Sequence, residues 1–475
     1  MYHKPMASQS NIDRRRGCCA DYNAGNSWYF NGNNGCFNNN NRYNGNFRCR
    51  PVLDYGRYDN ARLESYSVPL SEWLQISRET AKGKSSKPCY VFFVLHRVSE
   101  LVQLAHEVGN CELMPTESTA HIIFEPRIRE IVCAVASKRV MQTYYIRSLQ
   151  PYLERRLYHP DSYSCRRGMG GLRAVRSLQD YIFKESNGYT TDCWLAKVDI
   201  QAFFMSLDCF QVCQIVTDFI RKEMADHPQR ELLVYLTRQI YLAATKDHLK
   251  DMAHPYERAM LDPAKSLYNR PYYTGVPIGD WTSQTAGLII TTFPLRYLSS
   301  LGYKFIHYTD DTVVVVRDKR QWIEDVERLA RYYKEQFGLT LHPKKRYLQH
   351  YSKGVEALGY KVRFDRLLPS DRIYHNMMWY LQRTIRKATE WNGHTFAHCE
   401  QIASSLNSYL GMLRHLDAYR LRIRICRMVA ESPLGEVLAP SCDYSKITIR
   451  RQYTRQHYYL NELKNLKQQL KSSLQ

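Results

Sequence analysis

Tyr303-Lys304-Phe305-Ile306-His307-Tyr308-Thr309-Asp310-Asp311-Thr312-Val313-Val314-Val315-Val316 is the stretch that decides how this chain is read. Apolar and β-branched residues flank a Tyr-Thr-Asp-Asp centre, the pattern of two strands joined by a tight hairpin turn. Two neighbouring carboxylates on such a turn repel one another and cost stability unless cations sit between them. The turn therefore suggests a divalent-metal site that does chemistry on phosphates. Alone the pattern is weak, because Asp is common in solvated turns.

A third carboxylate strengthens it. Trp194 to Val198 reads as a strand with Asp199 at its end and Phe203-Phe204 just beyond. If this strand pairs with the hairpin, Asp199 comes beside Asp310 and Asp311. Three carboxylates from two strands can hold two Mg²⁺ ions, one lowering the pKa of an attacking 3′-hydroxyl and the other neutralising charge on a leaving pyrophosphate. The backbone near Ile200 could offer a carbonyl to the second ion. Between the Asp strands lies Gly275-Val276-Pro277-Ile278-Gly279-Asp280-Trp281-Thr282-Ser283-Gln284. After the hairpin come an amphipathic helical pattern over Trp322 to Phe337, a strand-like Leu339-Thr340-Leu341, and His342-Pro343-Lys344-Lys345.

In that order these segments resemble the reverse transcriptases, and within them those of diversity-generating retroelements. Most reverse transcriptases carry Gln-Gly-x-x-x-Ser-Pro between the two Asp strands; the retroelement branch has an aliphatic residue for Gln and Gln for Pro. Ile278-Gly279-Asp280-Trp281-Thr282-Ser283-Gln284 is similar to the branch pattern. The resemblance runs from about Trp73 to Tyr360, through Glu125-Pro126-Arg127-Ile128-Arg129-Glu130-Ile131, Asp161-Ser162-Tyr163-Ser164-Cys165-Arg166, Phe203-Phe204-Met205-Ser206 and Leu358-Gly359-Tyr360. It departs at Asp280-Trp281, where Asn-Leu is commoner, and at Thr309, where a small apolar residue is commoner.

The resemblance implies an α+β right-hand polymerase: fingers, a palm whose antiparallel sheet carries Asp199, Asp310 and Asp311, and a helical thumb. It implies two Mg²⁺ ions, for which Mn²⁺ can substitute. The partners it implies are an RNA template, a cDNA or primer, deoxynucleoside triphosphates and a small basic helical accessory protein. Phe204 stands where the family places an aromatic gate against the ribose 2′-hydroxyl. Were Phe203-Phe204 extended, the two rings would point oppositely, one to the core and one to the gate. Arg129, helped by Arg127, would hold the triphosphate and base at a fingertip hairpin. Ile278, Gly279 and Gln284 would border the nucleotide, Lys345 with Lys344 beside it would protonate the pyrophosphate, and Tyr308 and Leu358-Gly359-Tyr360 would meet the primer and template.

One consequence follows from Ile278. An alkyl group cannot supply the hydrogen bonds that a Gln offers the nucleotide, so discrimination weakens and copying becomes error-prone. Separately, Cys165-Arg166-Arg167-Gly168-Met169-Gly170-Gly171 is a basic, Gly-rich loop ahead of a helical pattern over Leu172 to Phe183. Arg166, Arg167 and the amides near Gly168 suit a template phosphodiester. The loop lacks the Gly-Lys-Ser/Thr ending of a P-loop.

Bulk properties agree. The 475 residues carry a formal net charge of +21, and 44% are hydrophobic. A polyanionic partner is the simplest reason for such charge, because Lys and Arg that replace condensed counterions gain affinity from their release. No apolar run approaches a membrane span and no secretory signal stands at Met1 to Ser10, so a soluble, cytoplasmic protein without membrane attachment is expected. Cysteines are scattered from Cys18 to Cys442 without Cys-x-x-Cys spacing, and Cys209 with Cys213 reads as a buried thiol pair on a helix rather than as zinc ligands.

Four stretches are expected. Residues 1–60 form an Asn- and Gly-rich flexible arm. Within it Asn31 to Val52, with the run Asn38-Asn39-Asn40-Asn41-Arg42-Tyr43-Asn44-Gly45-Asn46, resembles the end of the lectin-type variable proteins that these retroelements diversify, which implies an arm translated from the template repeat, without a folded role, rather than a functional lectin fragment. Residues 61–120 form helices leading into the fingers, residues 121–350 the fingers and palm, and residues 351–475 the primer grip and a basic helical thumb. Arg383, Arg386, Lys387, Arg420, Arg422, Arg424, Arg427, Arg450, Arg451, Arg455, Lys464, Lys467 and Lys471 give the thumb the charge a duplex needs. Competing readings are an antiphage or group II intron reverse transcriptase, and, from another class, a catalytically silent RNA-binding or lectin-like protein.

Overall fold

The computed structural model describes residues 27–31, 36–40, 66–84, 88–125, 127–243, 245–343, 346–390, 396–454, 463 and 466. The chain forms two compact units that are interleaved in sequence. The first draws on Met1–His159, Ile200–Arg296 and Ala330–Thr340, the second on Pro160–Asp199, Tyr297–Leu329 and Leu341–Gln475. Both mix helices with mostly antiparallel sheet, so the protein is α+β.

In the first unit, Trp73 and Ile76 lie one helical turn apart on Leu70–Ala81, and both are fully buried. The Trp73 ring lies 4.9 Å from that of Tyr144 on the long helix Ala136–Arg156. Helices Pro88–Leu95 and Arg97–Gly109 turn Tyr90, Phe93, Leu101, Leu104 and Val108 inward. The helices expected over residues 61–120 stop short, because Ser118–Ile123 is already a strand. It pairs antiparallel with Arg129–Ala134 and parallel with Leu249–Asp251. In the arm expected to be without structure, Ser27–Asn31 and Cys36–Asn40 pair as an antiparallel hairpin; the rest of the Asn-rich run lies outside the described residues. Cys209 and Cys213 share the buried side of Cys209–Glu223, and burial pushes their thiols up to about 12 and about 11.

Glu130 ties this small sheet down. It has no solvent exposure, and its carboxylate accepts hydrogen bonds from the Leu267 amide at 2.8 Å, from Ser266 Oγ at 2.9 Å and from the Arg258 guanidinium. Arg258 also meets Asp251 at 2.5 Å. A buried carboxylate survives only when its oxygens are fully used, as here.

In the second unit, a four-stranded antiparallel sheet runs in the order Lys304–Tyr308, Asp311–Val316, Trp194–Asp199, Tyr347–His350. Val313 to Val316 are each 2% exposed or less, so this β-branched strand is covered on both faces. Leu195, Val313 and Val315 share a core with Ala174, Val175, Leu178 and Ile182 of helix Gly171–Glu185. The strand expected at Leu339-Thr340-Leu341 is absent. Its backbone is spent instead on the chain after the Asp strand: Gln201 N–H donates to Thr340 O and His342 N–H to Asp199 O. Three helices, Asp371–Glu390, Phe396–Leu413 and Tyr419–Ala430, bury Met377, Leu381, Leu410, Ile425 and Val429 together. An antiparallel pair, Leu438–Pro440 with Ile447–Ile449, follows where only helix was expected. Among the described residues, no helix is long and apolar enough to cross a membrane.

Replacing Glu130 by Leu removes one partner of a buried ion pair and is expected to cost about 3 kcal/mol of unfolding free energy. Chemical denaturation reads the change directly; an unshifted midpoint would contradict the role assigned to this carboxylate.

Candidate active site

The strand Trp194–Asp199 lies against Asp311–Val316 in a register that sets Asp199 directly opposite Asp311. The same register places Lys197 opposite Val313 and Leu195 opposite Val315. Side chains on one strand alternate faces, so Asp199, Lys197 and Leu195 share a side of the sheet with Asp311, Val313 and Val315. The inner end of that side packs on the helix beneath, and its outer end carries the carboxylates. Asp199 is 7% exposed, and the Asp311 side chain about one-third.

The turn is built tightly. Tyr308 pairs with Asp311, leaving Thr309 and Asp310 as a two-residue loop. Thr309 has a φ of 62°, a region that favours glycine and that a β-branched residue occupies at a cost of about 1–3 kcal/mol. Its amide donates to Ser164 Oγ at 3.1 Å. Beneath it, His307 is fully buried with Nδ1 2.9 Å from Thr312 Oγ1.

Carboxylate oxygens on two paired strands are the hard donors that a divalent cation takes. Among the described residues, no three acidic, thiol or imidazole side chains are gathered at ligand distance around one point. The Lys197 ammonium, 3.3 Å from Asp311 Oδ1, supplies positive charge at this end of the sheet. A cation on the strand two residues before Asp199 was visible in the sequence, yet its partner was not, because the partner is set by register.

The expected primer and template residues collect in this second unit. Val355–Ala357 and Tyr360–Val362 form a hairpin whose loop residues, Leu358 and Gly359, have φ of 54° and 86°. Two positive values are what a two-residue type I′ turn demands. A Cβ on Gly359 would also lie 2.7 Å from Ile373 Cδ1. Leu358 and Tyr360 sit over Gly171 at the start of its helix, and Tyr308 packs on the same core. Burial pushes the phenols of Tyr308 and Tyr360 up. Arg166 Nη1 donates to Ser162 O at 2.8 Å, whereas Arg167 and Gly168 are exposed on the loop. Lys345 and Lys344 lie outside the described residues.

The expected nucleotide residues belong to the first unit. Arg127 is exposed in the loop between Ile123 and Arg129, and Pro126 beside it lies outside the described residues. Arg129 is not at the tip: it opens the returning strand, paired with Ile123, and is exposed. The chain passes between the units at Asp199-Ile200, and the Ile200 side chain is buried. Phe203 and Phe204 are not extended. They form a single helical turn, Phe203–Ser206, entered through Ala202 at a φ of 46°, with ring centroids 5.2 Å apart. Adjacent helical side chains diverge by about 100° rather than opposing. Phe203 is buried and Phe204 half-buried, and both rings lie against Gly287 of helix Trp281–Ser300.

Ile278 packs beside Ala120, Val132, Met205, Leu249 and Leu267, and its carbonyl accepts the Val132 amide at 2.7 Å. Gly279 has a φ of 130°, and a Cβ there would fall 2.3 Å from Val132 O, so no side chain is accommodated. Asp280 is buried with Oδ2 2.8 Å from Gln142 Nε2, while Gln284 is exposed on the first turn of the helix. Glu130 with Arg258, Asp280 with Gln142, and Ser164 were given no role from the sequence, since each partner is remote in the chain.

The Lys197 ammonium occupies charge space beside Asp311, so Lys197→Met should lower severalfold the divalent-ion concentration giving half-maximal effect. A titration of activity against Mg²⁺ tests this, and a midpoint that rises or stays fixed refutes it.

A family model described as reverse transcriptase (RNA-dependent DNA polymerase) matches residues 125–362. Among solved structures, the chain is similar to apo telomerase from Candida tropicalis truncated from the C-terminal domain, with a TM-score of 0.41 and 10% identity over 54% of this chain and 55% of that one. It is also similar to telomerase from Candida albicans in complex with a fragment of telomeric RNA, with a TM-score of 0.38 and 9% identity over 72% of this chain and 66% of that one. The chain thus spans less than two thirds of the length of either. No curated protein matches it in sequence. The family match takes in both Asp-bearing strands and the turn between Tyr308 and Asp311, and the chain belongs to the reverse transcriptase family, the RNA-dependent DNA polymerases.

Proposed function

We propose that this protein is an error-prone RNA-directed DNA polymerase that copies a template-repeat RNA into cDNA for adenine-directed mutagenesis of a target gene. The observation that carries the polymerase reading is the register of Asp199 against Asp311, with Asp310 on the adjoining turn. Reverse transcriptase domains work with divalent metal ions. Asp199, Asp310, Asp311 and the Ile200 carbonyl are the groups that would hold two of them, Mg²⁺ or Mn²⁺, which when bound supply Lewis-acid activation of the 3′-hydroxyl and charge neutralisation.

The other roles belong to the chain's own side chains. Arg127 and Arg129 bind triphosphate oxygens through their guanidinium forks. Phe204 refuses a ribose 2′-hydroxyl by its bulk, and Lys345 donates a proton to the departing pyrophosphate. Tyr308, Leu358, Gly359 and Tyr360 seat the primer end, and Arg166, Arg167 and the Gly168 backbone hold template phosphates. Arg420, Arg424 and Arg427 recur at helical spacing on the exposed side of Tyr419–Ala430, which suits a polyanionic RNA, shared with a small basic accessory protein.

Low fidelity is supported by Ile278. Its side chain is an alkyl group packed on the apolar cluster and offers the nucleotide no hydrogen bond. A net hydrogen bond of about 0.5–1.5 kcal/mol corresponds to roughly two- to tenfold in discrimination.

Primer extension on an RNA template with Mg²⁺ tests the activity: Asp310→Asn should abolish it, and retained extension would refute the assignment. Sequencing the products tests the subtype. Errors should concentrate opposite template adenine, and Ile278→Gln should reduce them severalfold; evenly distributed errors would overturn the adenine-directed reading, and no change in the variant would overturn the role given to Ile278.

A further inference from the structure

We infer that Ser164 is a positioning residue for the carboxylate turn, holding Thr309 in its positive-φ conformation and so fixing the direction from which Asp310 is presented. The inference rests on the assignment of Asp310 and Asp311 to the catalytic site. Three observations carry it, all within the second unit.

The first is that the turn is not in a conformation Thr309 prefers. A β-branched side chain at a φ of 62° crowds its own backbone, and left to itself the turn would relax by swinging Thr309 to negative φ. Because Asp310 is the next residue, that rotation would re-aim its carboxylate. The second is that the Thr309 amide has no place in the ladder, since the Tyr308–Asp311 pair closes the hairpin beneath it. Ser164 Oγ, 3.1 Å away, accepts it. The third is that Ser164 is itself held. The segment before it lies along the outer strand, with His307 N–H donating to Asp161 O and Tyr163 N–H donating to His307 O, each at 2.9 Å, and Ser164 is 1% exposed. A hydroxyl on so fixed a segment pins the amide rather than following it.

The test is a double-mutant cycle read by RNA-templated primer extension across a Mg²⁺ titration and by Mn²⁺ binding to the protein without nucleotide or primer-template. Ser164→Ala should lower kcat about tenfold and raise the Mg²⁺ midpoint severalfold, with KM for nucleotide and primer-template unchanged. Glycine takes positive φ freely, so the same Ser164→Ala change should cost much less in a Thr309→Gly background. An unchanged Mg²⁺ midpoint, or an equal penalty in both backgrounds, overturns the inference. Should Ser164→Ala fail to fold, Ser164→Cys, which keeps the volume and weakens the acceptor, carries the same comparison. Asp310→Asn run alongside separates the two levels. If it stays active the catalytic assignment falls, whereas if it is dead and the cycle shows no coupling, only the role of Ser164 falls.

Discussion

Two carboxylates facing each other across a strand pair are a destabilising arrangement, and the second unit is organised to tolerate it. Directly opposed like charges repel, and register would slip if nothing else fixed it. Here it is fixed by what lies further along the same strands. A one-residue slip would turn Leu195, Val313 and Val315 away from the helix Gly171–Glu185, exposing a core that is almost completely dry. Hydrophobic burial at one end of the sheet thus enforces charge proximity at the other. Lys197 then moderates the repulsion without abolishing the acidic character that cation chemistry needs.

The first unit meets a different demand, that of holding a loop close to a strand. Gly279 and Val132 approach so nearly that the backbone itself fills the space a side chain would take. The strand bearing Val132 is anchored by Glu130, two residues before it, whose carboxylate is consumed by three donors from the segment Arg258 to Leu267. The exposed Arg129 and the buried Glu130 are adjacent and face opposite ways, so holding the carboxylate inside turns the guanidinium to solvent.

Local pattern made the two Asp strands, their turn, the amphipathic helices and the buried Cys209–Cys213 side legible in the sequence, because period and turn chemistry are written in neighbouring residues. What stayed illegible depended on distant partners or on backbone sign. Nothing near Phe203 announces the left-handed Ala202 that starts a helical turn there, so an extended reading was natural. The strand expected at Leu339 to Leu341 has the composition of a strand but is given only single hydrogen bonds to the chain around Asp199 and Gln201. Glu130 with Arg258 and Ser164 with Thr309 are separated by more than a hundred residues, a distance at which spacing carries no information.

The segment Asp161 to Ser164 has a consequence beyond the turn it touches. Lys304–Tyr308 is the border strand of its sheet, and a border strand beside a run of valines offers free amides and carbonyls to any extended chain that drifts past. Here His307 has both of its outward backbone groups already engaged by Asp161 and Tyr163. That margin is thereby closed at His307 to pairing with another extended chain.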